Sequence, residues 1–122
     1  MTRVLVTGGR DYADRSAVYR ALDSLDVTEL AHGACPYGGA DILAEDWAKS
    51  REVPYRGYPA RFKSDGRRAG PERNARQLDD FKPDVLLAFP GGRGTANCVA
   101  QAEARGITVV FAVAMAMGDS GE

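Results

Sequence analysis

One histidine and two cysteines are the whole supply of imidazole and thiol groups in this 122-residue chain. With His32 alone no HExxH pair can form, and no GxSxG elbow is present, so the machinery of zinc and serine hydrolases is missing. Cys35 and Cys98 stand far apart in the chain and form no CxxC pair, which argues against a disulfide framework or a zinc site. The default is two free thiols, with no cofactor and no metal. Charge of one sign is also lacking. A formal net charge of −1 supplies no field that would draw the whole molecule to nucleic acid or an anionic membrane. No apolar run approaches the roughly 18 residues of a membrane span. The start, MTRVLVTGG, enters a strand pattern without an apolar signal core. These absences lead to the expectation of a cytoplasmic protein with no membrane contact.

What the chain does have is the composition of a globular domain, 44% hydrophobic and 27% charged. Strand and helix patterns alternate along it. Residues 3–7, RVLVT, form a short β-branched run that stops at Gly8-Gly9. Asp14 can cap a helix whose Ala17, Val18, Ala21, Leu22 and Leu25 recur at helical spacing. Residues 28–31 read as a second strand, and residues from Asp41 onward as a second helix that ends at Val53-Pro54. A third strand follows at 55–58. Residues 59–70 are polar and aperiodic, so an exposed loop is expected there. Pro71 suits the first turn of a third helix running to about Phe81. Residues 84–89, DVLLAF, are the most evidently buried strand, followed by a glycine-rich loop, a helix at 95–105 and a fifth strand at 107–113.

This alternation predicts an α/β fold, Rossmann-like and doubly wound, with a mostly parallel five-stranded sheet and helices on both faces. Residues 1–117 are expected to make one domain and 118–122 a flexible tail. In such sheets ligands bind beyond the carboxyl ends of the strands, where the winding reverses. The unusual residues fall on that edge.

The loop Pro90-Gly91-Gly92-Arg93-Gly94-Thr95 joins a buried strand to a helix. Glycines at 91, 92 and 94 allow backbone amides to approach an anion, and the helix start adds unpaired N–H groups, so a phosphate fits there. Thr95 can cap the helix or donate to a phosphate oxygen. The bland alternative is a tight turn that uses glycine for conformation alone. The loop is neither a Walker A motif, lacking GK[ST], nor a dinucleotide fingerprint, lacking a third glycine at the required spacing. Gly8, Gly9, Arg10 and Asp11 form a second glycine turn with a charge pair, which reads either as a surface ion pair or as a ligand contact with Asp11 on ribose. Gly33 follows the second strand. Gly39 precedes Asp41, which is a helix cap or a carboxylate facing the same crevice. From residue 61 to 76 six basic residues face two acidic ones. Among them Arg73, placed on the first helical turn, is the best candidate to grip a phosphate in bidentate fashion, with Asn74 beside it able to bond a base or sugar.

The stretches VTGGRDY at 6–12, HG at 32–33, GGAD at 38–41, GPERN at 70–74 and FPGGRGT at 89–95 together resemble the SLOG superfamily, and most of all its small YspA-like branch. That superfamily joins the DNA-processing protein A fold with the LOG-type cytokinin-activating enzymes. The resemblance implies a Rossmann-like sheet that binds nucleotides or nucleotide-derived ligands, and self-association into dimers or larger assemblies. LOG-type members cleave the bond between base and ribose 5′-monophosphate, and their signature is PGGxGTxxE with a separate arginine. Arg73 matches that arginine in its helix context. The glutamate position is Cys98 here, preceded by Asn97.

Three functions are therefore weighed. The leading one is capture of a phosphorylated nucleotide or a derivative of it, as a sensor or carrier. The second is a nucleotide-processing hydrolase, a LOG-like phosphoribohydrolase or related N-glycosidase, with Arg73 and Asp11 as catalytic candidates and Asp41 or Glu45 as other replacements for the absent glutamate. Cys98 at a helix start is either a nucleophile or a small buried residue. The third is single-stranded DNA binding through the arginine-rich segment, for which only Tyr58 and Phe62 lie near enough to stack.

Overall fold

A computed structural model of the chain describes residues 2–61 and 66–112. Five strands, β1 (Thr2–Thr7), β2 (Val27–His32), β3 (Tyr55–Gly57), β4 (Val85–Ala88) and β5 (Thr108–Phe111), form one sheet in the order β3-β2-β1-β4-β5. Every pairing is parallel, so the sheet is wholly rather than mostly so. Four α-helices connect the strands: α1 (Arg15–Asp23), α2 (Ala40–Ser50), α3 (Ala69–Phe81) and α4 (Arg93–Ala104). The expected α/β Rossmann-like sheet with helices on both faces is the observed architecture.

Alternation along the central strands creates two cores, because successive side chains leave a strand on opposite faces. Val4, Val6, Leu30 and Leu87 meet α1 and α2 through Val18, Leu22, Ala44 and Trp47. Leu5, Ala31 and Leu86 point the other way and meet α3 and α4 through Leu78, Phe81, Cys98 and Ala102. Leu5, Leu86 and Leu87 are fully buried, and each such side chain favours the folded state by about 1.5–3 kcal/mol relative to exposure. The continuous apolar run of β4 follows from being covered on both sides.

The chain's first half builds one face and its second half the other. Strand order therefore reverses between β1 and β4, leaving their C-terminal ends open between helices on opposite sides.

Several local expectations are corrected. Helix α2 starts at Ala40 with Gly39 in the cap position and no side-chain cap, so Asp41 is not the helix cap. A 3-10 turn at Gly66–Arg68 runs into α3, which begins two residues before Pro71 and puts Arg73 in the second turn rather than the first. Helix α4 begins at Arg93, ahead of the expected Thr95, because Gly92 already accepts from the Ala96 N–H at 3.0 Å. Thr95 does not cap it. Asp14 does cap α1, its Oδ1 accepting from the Ala17 N–H at 3.0 Å. The tail at 118–122, the far end of the fifth strand at 113, and Phe62, Lys63 and Asp65 lie outside the described residues.

Candidate functional site

Two loops close over the open ends of β1 and β4. The Phe89 N–H donates to Thr7 O at 2.9 Å, and the Gly9 N–H donates to Pro90 O at 2.8 Å, carrying the strand pairing into the loops themselves. The start of α2 is tied to the same place, its Ala40 N–H donating to Gly9 O at 3.2 Å. Gly39 sits at φ +80°, and a Cβ there would overlap the Gly9 carbonyl and the Arg10 backbone. Gly91 is equally confined, since a Cβ would run into Thr95 and the Gly9 N. These two glycines let three loops approach each other. Gly92 and Gly94 differ, having open space where a side chain would be.

Between the loops lies a crevice of about 280 Å³. Ten of the residues singled out from the sequence line it: Gly8, Gly9, Arg10, Gly33, Asp41, Arg73, Asn74, Gly92, Gly94 and Thr95. Gly39, Pro90 and Gly91 support its walls from behind. Asp11 is exposed and lines a shallower outer basin with Arg10, Tyr12 and Gly92, away from the crevice floor. Val6, Thr7, Cys35 and Gln77 complete the lining and were not anticipated. Helix α4 has no side-chain cap, so its first N–H groups, at the positive end of the helix dipole, are available to an anion in the crevice.

Opposite that helix start, α3 brings in Arg73. Its Nη1 donates to Gly33 O at 2.5 Å and its Nε to Asn74 Oδ1 at 3.0 Å. Gly33 makes room for this, because a Cβ there would meet the guanidinium and the Asp41 carboxylate. Asn74 Oδ1 also accepts from Gln77 Nε2 at 3.1 Å, while its Nδ2 donates to Gly94 O and Asn97 Oδ1, both at 3.1 Å. Gln101 then donates to Asn97 Oδ1 at 2.7 Å. A chain of amides thus joins the arginine on α3 to the glycine loop on α4. At its inner end Gln77, only 1% exposed, keeps a side-chain oxygen with no hydrogen-bond partner among the described residues.

Asp41 faces the crevice from α2, with Oδ2 accepting from the Cys35 N–H at 3.2 Å. Burial raises its pKa above the ordinary carboxyl value, against the opposing pull of His32, Arg73 and the Cys35 and Gly33 backbone amides. His32 is engaged elsewhere. Its Nδ1 accepts from the Ala34 N–H at 2.9 Å, so Nε2 carries the proton and donates to Glu45 Oε1 at 2.8 Å. Glu45 also pairs with Lys49 at 3.1 Å. Burial pushes the Glu45 pKa up, but the bonds from Lys49 and His32 prevail and leave it lowered. It takes no part in the crevice lining. Cys98 is fully buried, and desolvation holds its thiol above the ordinary pKa despite Thr7, Arg73 and Gln77. It is a protonated packing residue, not an activated nucleophile. Among the described residues no group of three histidine, cysteine or acidic side chains gathers where it could hold a metal ion.

Among the described members of the arginine-rich segment, Arg73 alone lines the crevice, whereas Arg76 bonds Pro59 O at 2.7 Å and Arg68 pairs with Glu72 at 3.7 Å. Tyr58, named as a stacking platform, is buried at 9% exposure. No helix among the described residues is long and apolar enough to cross a membrane.

Comparison with known proteins places this geometry in context. The family model for the YspA, cpYpsA-related SLOG family matches residues 2–64. The "Gene 61 protein" of Mycobacterium phage D29 is 37% identical over 122 residues, an alignment spanning 90% of this chain and 95% of that protein.

Proposed function

The chain belongs to the YspA, cpYpsA-related SLOG family, and from that premise we propose that it binds a phosphorylated nucleotide or nucleotide-derived ligand in the crevice beyond β1 and β4. The observation that carries this reading is the facing of an uncapped helix start by a fixed guanidinium. The first turn of α4, with Gly92 and Gly94 open in front of it, meets one side of a phosphate, and Arg73 meets the other. Membership in a superfamily of nucleotide-binding proteins supports the same ligand class. The unpartnered Gln77 oxygen gives the crevice floor an acceptor for a ligand hydroxyl or N–H. Asp11, with its place on the outer basin, is free to meet whatever part of the ligand projects from the crevice.

Isothermal titration of the protein with a panel of nucleotides tests this. A side chain at position 92 has room and needs no unusual backbone, so Gly92→Glu keeps the fold while placing a carboxylate in front of the helix start. Saturable binding by at least one nucleotide, lost in Gly92→Glu, is expected. Equal affinity in the variant removes the proposal.

One observation favours a second reading, hydrolysis of the ligand's N-glycosidic bond. Asp41 is a buried carboxyl of raised pKa beside Arg73, and so is suited to protonate a departing base while water attacks the ribose carbon. Free base accumulating with the wild type but not with Asp41→Asn supports it. No product from any nucleotide that binds confines the protein to binding.

A further inference from the structure

The crevice does not end at Arg73. A second hollow, of about 310 Å³, shares Arg10, Gly33, Cys35 and Arg73 with it and contains no residue of the glycine loop. Its remaining wall is largely apolar, built from Ala34, Pro36, Tyr37, Pro59 and Ala60. Tyr37 is 72% exposed, and its ring lies 5.3 Å from the Arg10 guanidinium.

Tyr37 lines this hollow, and the loop carrying it is held at both ends. Residues Cys35, Pro36, Tyr37 and Gly38 form a turn in which the Gly38 N–H reaches Cys35 O at 3.5 Å, with proline where its fixed φ favours the bend. On one side the Ala34 and Cys35 amides are anchored to His32 Nδ1 and Asp41 Oδ2. On the other, Gly39 packs on the Gly9-Arg10 backbone and the Ala40 N–H bonds Gly9 O. The tip is therefore a fixed shelf for Tyr37, so that a ring settling on it loses little additional freedom of the protein.

A second apolar groove borders the glycine loop from behind, lined by Phe89, Val99 and Phe111. It offers no arginine and includes Glu103, so it repels the anionic part of a nucleotide where the hollow beside Tyr37 attracts it. Together the crevice and the hollow fall within the roughly 300–1,000 Å³ range of small-molecule sites. We propose that the hollow is a nucleobase subsite, in which a purine or pyrimidine ring stacks on Tyr37 while the phosphate lies between Arg73 and the start of α4. This rests on the reading of the crevice as a phosphate site and adds to it the ligand class, a mononucleotide whose base is read by stacking. Sugar and phosphate cross the boundary at Arg10 and Arg73, the two cationic residues among the four common to both spaces.

The test compares nucleoside 5′-monophosphates of all four common bases with ribose 5-phosphate, titrated against wild type, Tyr37→Ala and Tyr37→Phe. Because Tyr37 is exposed, both variants are expected to fold, as circular dichroism and melting verify. At least one nucleotide is expected to bind more tightly than ribose 5-phosphate, with an advantage that falls about ten-fold in Tyr37→Ala and is kept in Tyr37→Phe. Ribose 5-phosphate is expected to bind all three proteins alike. Nucleotide affinity unchanged in Tyr37→Ala, or equal to that of ribose 5-phosphate in wild type, overturns the base subsite and leaves the phosphate site standing. Failure of every compound to bind overturns both.

Discussion

Asn74 sits beside the arginine in the GPERN stretch, where a contact to base or sugar is the natural expectation, yet it has no hydrogen-bonding capacity to spare. Its oxygen accepts from Arg73 and Gln77, and its nitrogen donates to Gly94 and Asn97. It acts by fixing the distance between the guanidinium on α3 and the glycine loop on α4. Asn74→Ala strips partners from groups that are partly or wholly buried, at about 1–3 kcal/mol for each one left orphaned. A loss of about 2 kcal/mol in urea denaturation is expected, together with weaker nucleotide binding. An unchanged urea midpoint contradicts the assigned role. Asp41 invites a different measurement. Burial raises its pKa, so the folded chain keeps this proton at pH values where the unfolded chain, titrating near about 3.9, has lost it. Stability linked to Asp41 is therefore full below that value and is lost as pH rises through the raised folded value. Without ligand, the urea midpoint of wild type is expected to fall relative to that of Asp41→Asn as pH rises from about 4 toward neutrality. Parallel profiles for the two proteins refute this. Gln77 shows why part of the site was not legible in the sequence. A glutamine mid-helix reads as an ordinary surface residue, and only its position four after Arg73 and three after Asn74, on one helical face, hints that it continues the same wall. The glycines stand out because they cluster at strand ends, and Arg73 because it follows Pro71 near a helix start within a basic segment.

Elements were legible where pattern and burial agreed, and their ends were displaced where tertiary contacts outweighed local preference. The β4 run could be read directly because both its faces are covered. Local preference starts helix α4 two residues late because glycine is a poor helix former, yet the β4 loop fixes Gly92 as the cap and draws Gly94 into the first turn. The helix starts at α1 and α4 form a useful contrast. At α1 the Asp14 side chain caps the Ala17 N–H, and Asp14→Ala is expected to cost about 1 kcal/mol in thermal or urea unfolding while leaving nucleotide affinity unaltered. A cost near zero means that the cap is idle in solution. At α4 no side chain takes that place. One helix start is closed for stability, and the other is left open toward the crevice.

At the scale of the whole molecule, the winding that makes the sheet also makes the site depend on both halves of the chain. The first half supplies Gly8, Gly9, Gly33 and Asp41, and the second supplies Arg73, Gly92, Gly94 and Thr95, with the crevice at the seam between them. Net charge is only −1, so attraction for an anionic ligand comes from the local pair Arg10 and Arg73 rather than from a general field. A ligand bridging the seam binds only when both halves are folded together, and its binding free energy adds to the stability of the whole. At a free concentration one hundred times Kd the gain is about 2.7 kcal/mol. For a domain of this size that raises Tm by roughly ten degrees. Thermal melts monitored separately by the Trp47 signal, from the α2 core, and by far-UV circular dichroism, from all helices, should rise together as ligand is added. A rise in one signal without the other means that the ligand steadies one half alone, and then the site does not span the reversal between β1 and β4.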